Sequence, residues 1–168
     1  MPDTTVRVHY LELTRPPAPV PAHSGSERIA AERLALESYL ELYQQVGAPL
    51  RWDQRLNMPR AQLAALLAGA ALRIYVLRQA SGTPLGFCEL DRSAFPDIEL
   101  KNFGLIPQAQ GRGLGPWLLA TALQEEWRLQ PRRIWLHTDE WDHPAALPLY
   151  QRAGFELYLT RTEASGPL

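Results

Sequence analysis

The chain has 168 residues, 46% of them hydrophobic, with 17 basic and 18 acidic side chains and a formal net charge of −1. A chain of this length can build one ordinary core, so we expect one domain over residues 1–168 with its core at 5–160. The near-neutral balance, without a basic cluster, argues against nucleic-acid binding. The single cysteine, Cys88, permits no internal disulfide and favours a reducing, cytoplasmic setting. No apolar run approaches the ~18 residues that a membrane helix needs, so we expect no membrane partner.

The N-terminal segment alternates polar and apolar side chains. This period-two pattern predicts a strand over residues 5–13 with one face buried. Four prolines follow within residues 15–23, where neither a helix nor a central strand can continue. We therefore expect an extended, proline-rich connection between this strand and the rest of the domain.

Two helices are predicted after this connection. Ser24 and Glu27 form a capping-box pattern, and the apolar stripe behind them predicts a first helix that ends near Gly47. A second helix is expected from about Asn57 to Gly69, with a proline in its first turn. These helices would cover part of a sheet formed by the strands that follow.

The rest of the chain alternates strands with helices. Strands are predicted at 72–77, 85–90, 98–106, 133–138 and 155–160, and helices at 114–129 and 144–153. A turn at Ser81-Gly82 joins the first two of these strands as a hairpin, and residues 161–168 are expected to form a frayed tail. The resulting order, β-α-α-β-β-β-α-β-α-β, predicts an α/β fold (α+β mixed sheet) with helices on its faces.

A glycine-rich loop, residues 110–115, lies between a predicted strand and an apolar helix. Backbone amides at the start of a helix have no internal partner, and glycines leave them unshielded, so the loop predicts a phosphate site. The alternative is a tightly packed turn without a ligand. The dinucleotide fingerprint fails because Pro116 stands at its third glycine, and a Walker loop fails because the only lysine is Lys101.

Two motifs carry a resemblance to a known family. The first, Q-x-x-G-x-G/A, is matched by Gln110, Gly113 and Gly115. The second, N-x-x-A-x-x-x-Y-x-x-x-G-F, is matched by Ala146, Tyr150, Gly154 and Phe155, with His143 in place of the asparagine. Through these motifs and its element order the chain resembles the GNAT superfamily of N-acetyltransferases, of the small bacterial type. A second departure is Pro148, which removes a backbone donor inside the short helix.

The resemblance implies a fold and a co-substrate. The fold is a mixed sheet whose strands splay apart at the coenzyme site, and the co-substrate is acetyl-CoA, with coenzyme A as product and no metal. The coenzyme-binding residues implied by the two motifs and the preceding strand are Phe103, Gly104, Leu105, Ile106, Gln110, Gly111, Arg112, Gly113, Leu114, Gly115, His143, Ala146 and Tyr150.

Acyl transfer to an amine requires a base for the amine and benefits from a proton donor for the departing thiolate. The resemblance implies Tyr150 as this acid, because it matches the tyrosine of the second motif. Glu99 stands where some members of the family carry a catalytic glutamate, and alternation places it on one strand face with Lys101 and Phe103. Glu89, or a chain of water molecules without a dedicated base, remains an alternative.

The acceptor is expected to be the amine of a small or amino-acid-like molecule, because the sequence shows no signal of an extended groove. Candidate substrate-contacting residues are Trp52, Glu89 and His137. Further candidates for the acceptor walls are Tyr43, Arg51, Asp91, Phe95, Asp139 and Trp141. The acidic side chains could attract a cationic amine. Residues 137–143 are rich in His and acidic side chains, but we interpret Asp142 as a helix cap and expect no metal.

Other functions fit the same motifs. The loop would equally serve an enzyme with another acyl donor, a hydroxyl acceptor or a protein acceptor. A non-catalytic acyl-CoA sensor or interaction module is an alternative from a different class. A homodimer is also open, because the tryptophans at 117, 127, 135 and 141 crowd one region of the chain.

Overall fold

The computed structural model describes residues 5–164, which form seven strands and five helices. The strands are β1 (Thr5–Leu13), β2 (Arg28–Ala31), β3 (Leu72–Arg78), β4 (Pro84–Asp91), β5 (Asp97–Leu105), β6 (Arg133–Asp139) and β7 (Glu156–Ala164). The helices are α1 (Leu36–Gly47), α2 (Gln54–Asn57), α3 (Arg60–Ala68), α4 (Leu114–Trp127) and α5 (Ala146–Ala153). Short 3₁₀ turns lie at Ala48–Leu50 and Pro107–Ala109.

The seven strands form one open mixed sheet in the order β2-β3-β4-β5-β6-β1-β7. All neighbours are antiparallel except β5 and β6, which α4 connects as a parallel pair. This pair is hydrogen-bonded only where Asp97–Glu99 meets Arg133–Trp135. Beyond Glu99 the two strands separate, so the predicted mixed fold and its splay are confirmed.

Strand β1 lies inside the sheet although it begins the chain. It pairs with β6 on one side and with β7 on the other. The proline-rich connection then leaves the sheet and crosses the helices. The Gln124 side chain donates to the carbonyls of Pro17 (3.3 Å) and Ala18 (3.1 Å), and the Ala18 amide donates to Ala153.

The two faces of the sheet are covered by different helices. The Phe103 ring lies 6.0 Å from the Tyr150 ring of α5, whereas a Cβ on Gly104 would stand 2.5 Å from Val46 of α1. Neighbouring strand residues point to opposite faces, so α1 and α5 lie on opposite sides of β5. The absence of a side chain at Gly104 is what allows α1 to approach the strand so closely.

The capping-box prediction for the first helix is wrong. Residues 28–31 form strand β2, which pairs with the free edge of β3, for example Ile29 with Leu77. The next residue, Glu32, binds Arg78 through two hydrogen bonds of 2.8 and 2.9 Å. These long-range contacts override the local helix signal, and α1 begins only at Leu36.

Other boundaries differ less. The second predicted helix, expected from about Asn57, is α3, which begins only at Arg60 after Pro59. The short helix α2, Gln54–Asn57, lies before it and was not predicted. Of the predicted tail, residues 161–164 continue β7 opposite β1, so that part of the prediction is wrong; residues 165–168 lie outside the described residues. The remaining predicted boundaries agree to within two residues.

Residues 5–164 contain neither a membrane-spanning helix nor a cluster of metal ligands. No helix among them has the length and apolar content that a bilayer crossing requires. Nor are three or more His, Cys, Asp or Glu side chains in this range grouped as metal ligands. The thiol of Cys88 is fully buried, and burial raises its pKa well above the usual value.

Candidate active site

The glycine-rich loop leads from β5 into α4. Gly111 and Gly113 have φ of 76° and 75°, in the left-handed region that favours glycine. The space beside both Cα atoms is open, so their backbone conformation, and not crowding, makes glycine necessary. No side chain caps the first turn of α4, which leaves its amides for an anion.

A cavity of about 410 Å³ opens beside this loop. It lies between the loop, the carboxyl end of β5 and the start of α5. Its lining residues are Leu50, Phe103, Gly104, Leu105, Gln110, Gly111, Gly113, Leu114, Gly115, Pro116, Asp142, His143, Ala145, Ala146, Leu149 and Arg152. The volume lies within the range of about 300–1,000 Å³ that is usual for small-molecule sites.

Most of the predicted coenzyme residues meet at this cavity. Those that line it are Phe103, Gly104, Leu105, Gln110, Gly111, Gly113, Leu114, Gly115, His143 and Ala146. Three others do not: Ile106 is buried, and its amide donates to the Leu85 carbonyl; Arg112 pairs with Glu27; and Tyr150 lies behind the wall. The two sequence motifs therefore come together although about 30 residues separate them in the chain.

The structure adds cavity residues that the sequence reasoning missed. Leu149 and Arg152 extend the face of α5 that carries Ala146, and helical spacing from Ala146 could have identified them. Leu50 comes from the 3₁₀ turn after α1, and no sequence signal connects it with the loop. Among residues 5–164 Arg152 has no carboxylate partner, so its guanidinium is free to meet an anion.

Tyr150 is buried between two aromatic rings. Its ring lies 6.0 Å from Phe103 and 5.9 Å from Phe155, and the residue is 4% exposed. Burial raises the pKa of Tyr150 well above its usual value, with the nearby Asp142 acting in the same direction. The phenol therefore holds its proton throughout the neutral pH range, as an acid must.

Glu99 lies on β5 at the point where β6 separates from it. Its carboxylate pairs with Lys101 at 2.7 Å and is not among the cavity walls. The pairing with β4 shifts between Glu89↔Asn102 and Leu90↔Leu100, so the strand bulges at Lys101. The bulge reverses the alternation, and Glu99 and Phe103 lie on opposite faces, contrary to the prediction.

Glu89 is part of a buried polar network under α1. Its carboxylate is fully buried and accepts hydrogen bonds from Tyr39, from the Arg55 guanidinium and from Asn102 (3.3 Å). Arg55 also donates from Nε to the Tyr39 hydroxyl at 3.2 Å. With its oxygens occupied and no access to solvent, Glu89 is placed to hold α1 and α2 on the sheet, and not to accept a proton from an amine.

The other two predicted substrate residues are not among the cavity walls. The Trp52 ring lies 5.4 Å from that of Tyr43 and 6.2 Å from that of Phe87, and it packs, partly buried, against the core. It lies just behind the wall at Gly104, where an added Cβ would stand 3.6 Å from it. His137 is exposed on β6, with its ring 5.9 Å from Tyr10. The structure therefore does not bring Trp52, Glu89 and His137 together as one acceptor pocket.

Asp142 shapes the turn that precedes α5. Its carboxylate accepts a 2.6 Å hydrogen bond from Thr138 and a 2.8 Å bond from the His143 amide. The first turn of α5 carries no side-chain cap, so the prediction of a helix cap is wrong. Burial raises the pKa of Asp142, and the Thr138 hydrogen bond opposes that rise.

The comparisons with known proteins agree with this geometry. The model of the acetyltransferase (GNAT) family matches residues 30–155. No curated protein matches the chain by sequence.

Solved structures share the fold. A GCN5-related N-acetyltransferase from Sphaerobacter thermophilus is 18% identical with a TM-score of 0.70, over 94% of this chain and 50% of that chain. A tandem GNAT protein from the clavulanic acid biosynthesis pathway is 19% identical with a TM-score of 0.67, over 97% and 55%. An aminoglycoside acetyltransferase, meta-AAC0020, from an uncultured soil sample is 16% identical with a TM-score of 0.62, over 76% and 87%.

The chain spans about half the length of the first two of these structures. At such identities the likeness shows the fold, and the family assignment comes from the family model. That model covers most of the chain and includes both motifs that meet at the cavity. The chain therefore belongs to the acetyltransferase (GNAT) family.

Proposed function

We propose that this chain transfers an acetyl group from acetyl-CoA to the amine of a small or amino-acid-like molecule. The observation that carries the proposal is the uncapped glycine loop, which opens into the 410 Å³ cavity where β5 and β6 separate. When bound, acetyl-CoA supplies an activated acyl group and a thiolate leaving group.

The residues of the cavity fit the coenzyme in two places. The amides at residues 110–115 offer donors and a helix N-terminus for the phosphates. The unpaired edge of β5 near Phe103–Leu105 offers backbone groups to the amide-containing arm, because β6 no longer pairs there. The near-neutral net charge agrees with a phosphate site built from backbone amides.

Arg152 would add a charged contact to the coenzyme. We expect Arg152→Gln to weaken acetyl-CoA binding about five-fold and to reduce its dependence on salt, because a guanidinium at the cavity is lost. Isothermal titration at two salt concentrations measures both effects. Arg128→Gln, at an exposed position beyond the cavity, is the matched control; equal affinities for all three proteins would remove Arg152 from the site.

Tyr150 and Glu99 would each take part in one proton transfer. Tyr150 is the candidate acid for the thiolate, since its phenol is protonated and adjoins the cavity wall. Glu99 is the candidate base, and it would act at a distance. Phe103 is four positions further along the strand, which at about 3.3 Å per strand residue is at most roughly 13 Å of backbone, since the bulge at Lys101 shortens it. We therefore propose that Glu99 receives the amine proton through water molecules.

We expect Glu99→Gln to lower kcat/KM for the acceptor about ten-fold at neutral pH, since a relayed base contributes less than a direct one. The deficit should shrink as pH approaches the amine pKa of about 10, because the amine then loses its proton without help. A pH profile of kcat/KM measures this. Glu156→Gln, at an exposed site on β7, is the control, and a deficit that is constant with pH would contradict the role.

A structural likeness supports a small amine as the acceptor. An aminoglycoside acetyltransferase shares this fold, which agrees with a small amine acceptor. The test is a thiol-release assay with acetyl-CoA across amines, amino acids, aminoglycosides and peptides. Turnover with small amines supports the proposal. Turnover with proteins alone would overturn the acceptor class, and coenzyme binding without any turnover would favour an acyl-CoA sensor.

A further inference from the structure

The proline-rich connection ends against the glycine loop. After its contacts with α4 and α5, the chain reaches Glu27, whose Oε1 accepts a 2.6 Å hydrogen bond from the Arg112 guanidinium. The other carboxylate oxygen, Oε2, lies 3.0 Å from Nε2 of His23. The Glu27 side chain is 12% exposed, whereas that of Arg112 is 45% exposed. One carboxylate thus joins the connection to the loop.

His23 fixes this carboxylate to helix α4. Its ring stacks on Trp117 with 3.8 Å between centroids and 16° between planes, and Trp117 follows the cavity residue Pro116. The turn between His23 and Glu27 is tight, because a Cβ on Gly25 would stand 2.2 Å from the Glu27 carboxylate. We name His23 and Glu27 the 23–27 clamp.

Glu27 is ionised at neutral pH. A hydrogen bond from its own backbone amide holds its pKa below the usual range, and His23 and Arg112 act in the same direction. Its partner is the only residue with a side chain in the turn 111–113, because Gly111 and Gly113 flank it. Both glycines line the cavity and Arg112 does not. A contact with the Arg112 side chain is therefore the way in which another side chain can hold the turn 111–113 in place.

We propose that the 23–27 clamp positions Arg112 and thereby keeps the loop amides in the conformation that receives the coenzyme phosphates. The inference rests on the proposed coenzyme site. Glycine-flanked backbone loses much conformational freedom when it is ordered, and a clamp that orders it beforehand reduces that cost at binding. His23 and Glu27 both precede residues 30–155, the segment that matches the family model. The clamp therefore lies outside the segment that the family model covers.

Glu27→Ala is expected to raise KM for acetyl-CoA five- to ten-fold, while kcat at saturation and KM for the acceptor stay unchanged. Glu27→Gln, which keeps an acceptor oxygen, should lie between wild type and Glu27→Ala. Glu32→Ala is the matched control, because it removes a comparable, partly buried ion pair with Arg78 away from the loop. Equal KM values for wild type and Glu27→Ala would overturn the proposal.

A double-mutant cycle separates positioning from competition. If the clamp acts through Arg112, Arg112→Ala raises KM to the same extent as Glu27→Ala, and the double variant adds nothing further. If Arg112 instead binds phosphate and Glu27 competes for it, Glu27→Ala lowers KM, which would overturn the proposal.

Hydrogen exchange provides a readout that needs no coenzyme. Amides at residues 110–115 should exchange several-fold faster in Glu27→Ala than in wild type or Glu32→Ala. Unchanged exchange would overturn the clamp. Faster exchange in the variant, together with a wild-type protein that does not bind acetyl-CoA, would retain the clamp's ordering of the loop and overturn the proposed function.

Discussion

Replacing Arg55 by leucine is expected to lower the free energy of unfolding by about 3–5 kcal/mol. The reason is the position of Glu89, which is fully buried and has Arg55 as its counter-ion. Without Arg55 the carboxylate keeps only its hydrogen bonds from Tyr39 and Asn102. A buried charge without a counter-ion costs far more than the pair contributes. Urea unfolding at neutral pH measures the loss.

Two controls give this result its meaning. Arg60→Leu breaks an exposed ion pair with Glu37 and should cost less than about 1 kcal/mol. Adding Glu89→Gln to Arg55→Leu removes the orphaned charge and should recover part of the stability. A loss under about 1 kcal/mol would show that water reaches Glu89 in the variant.

Tyr150→Phe is expected to lower kcat about 10²-fold, within the usual contribution of a general acid. The KM for acetyl-CoA should not change, because the ring contacts with Phe103 and Phe155 are retained. Steady-state kinetics with a small amine acceptor measures the effect.

The role of Tyr150 as the acid can also be tested with a different acetyl donor. If the thiol of the acetyl thioester has a pKa well below 8.5, its thiolate can leave without being protonated. With such an acetyl donor, Tyr150→Phe should therefore recover most of the wild-type rate. Tyr158→Phe, on the exposed side of β7, should match wild type with both donors. A deficit of the same size for both thioesters would remove Tyr150 from the proton transfer.

The parts of the candidate site that depend on residues close together in sequence could be predicted. Gly111 and Gly113 carry their own conformational requirement, and the neighbouring helix supplies the amides, so the loop could be identified without any distant residue. The second motif was identified in the same way, because Ala146 and Tyr150 lie on one helix. The mixed sheet followed from the alternation of strand and helix periods, which depends on neighbours in sequence.

What could not be predicted depends on pairing between distant segments. Residues 28–31 became a strand because β3 offered a free edge. Glu89 was a candidate base in the sequence, and only the folded structure shows that its carboxylate accepts hydrogen bonds from Arg55 and Tyr39. The bulge at Lys101 arises from the register between β4 and β5, and simple alternation therefore assigned Glu99 the wrong face.

The placement of β1 within the sheet has a consequence for how the molecule folds. Strand β1 needs β7 as its neighbour, and His9 meets Thr160 across 151 positions of chain. The entropy cost of closing so long a loop arises before the stabilising contacts between the two strands form. Folding is therefore slow, as in other proteins of high contact order. Until β7 emerges, β1 presents a strand edge to other chains, so newly made protein is most exposed to aggregation at this seam.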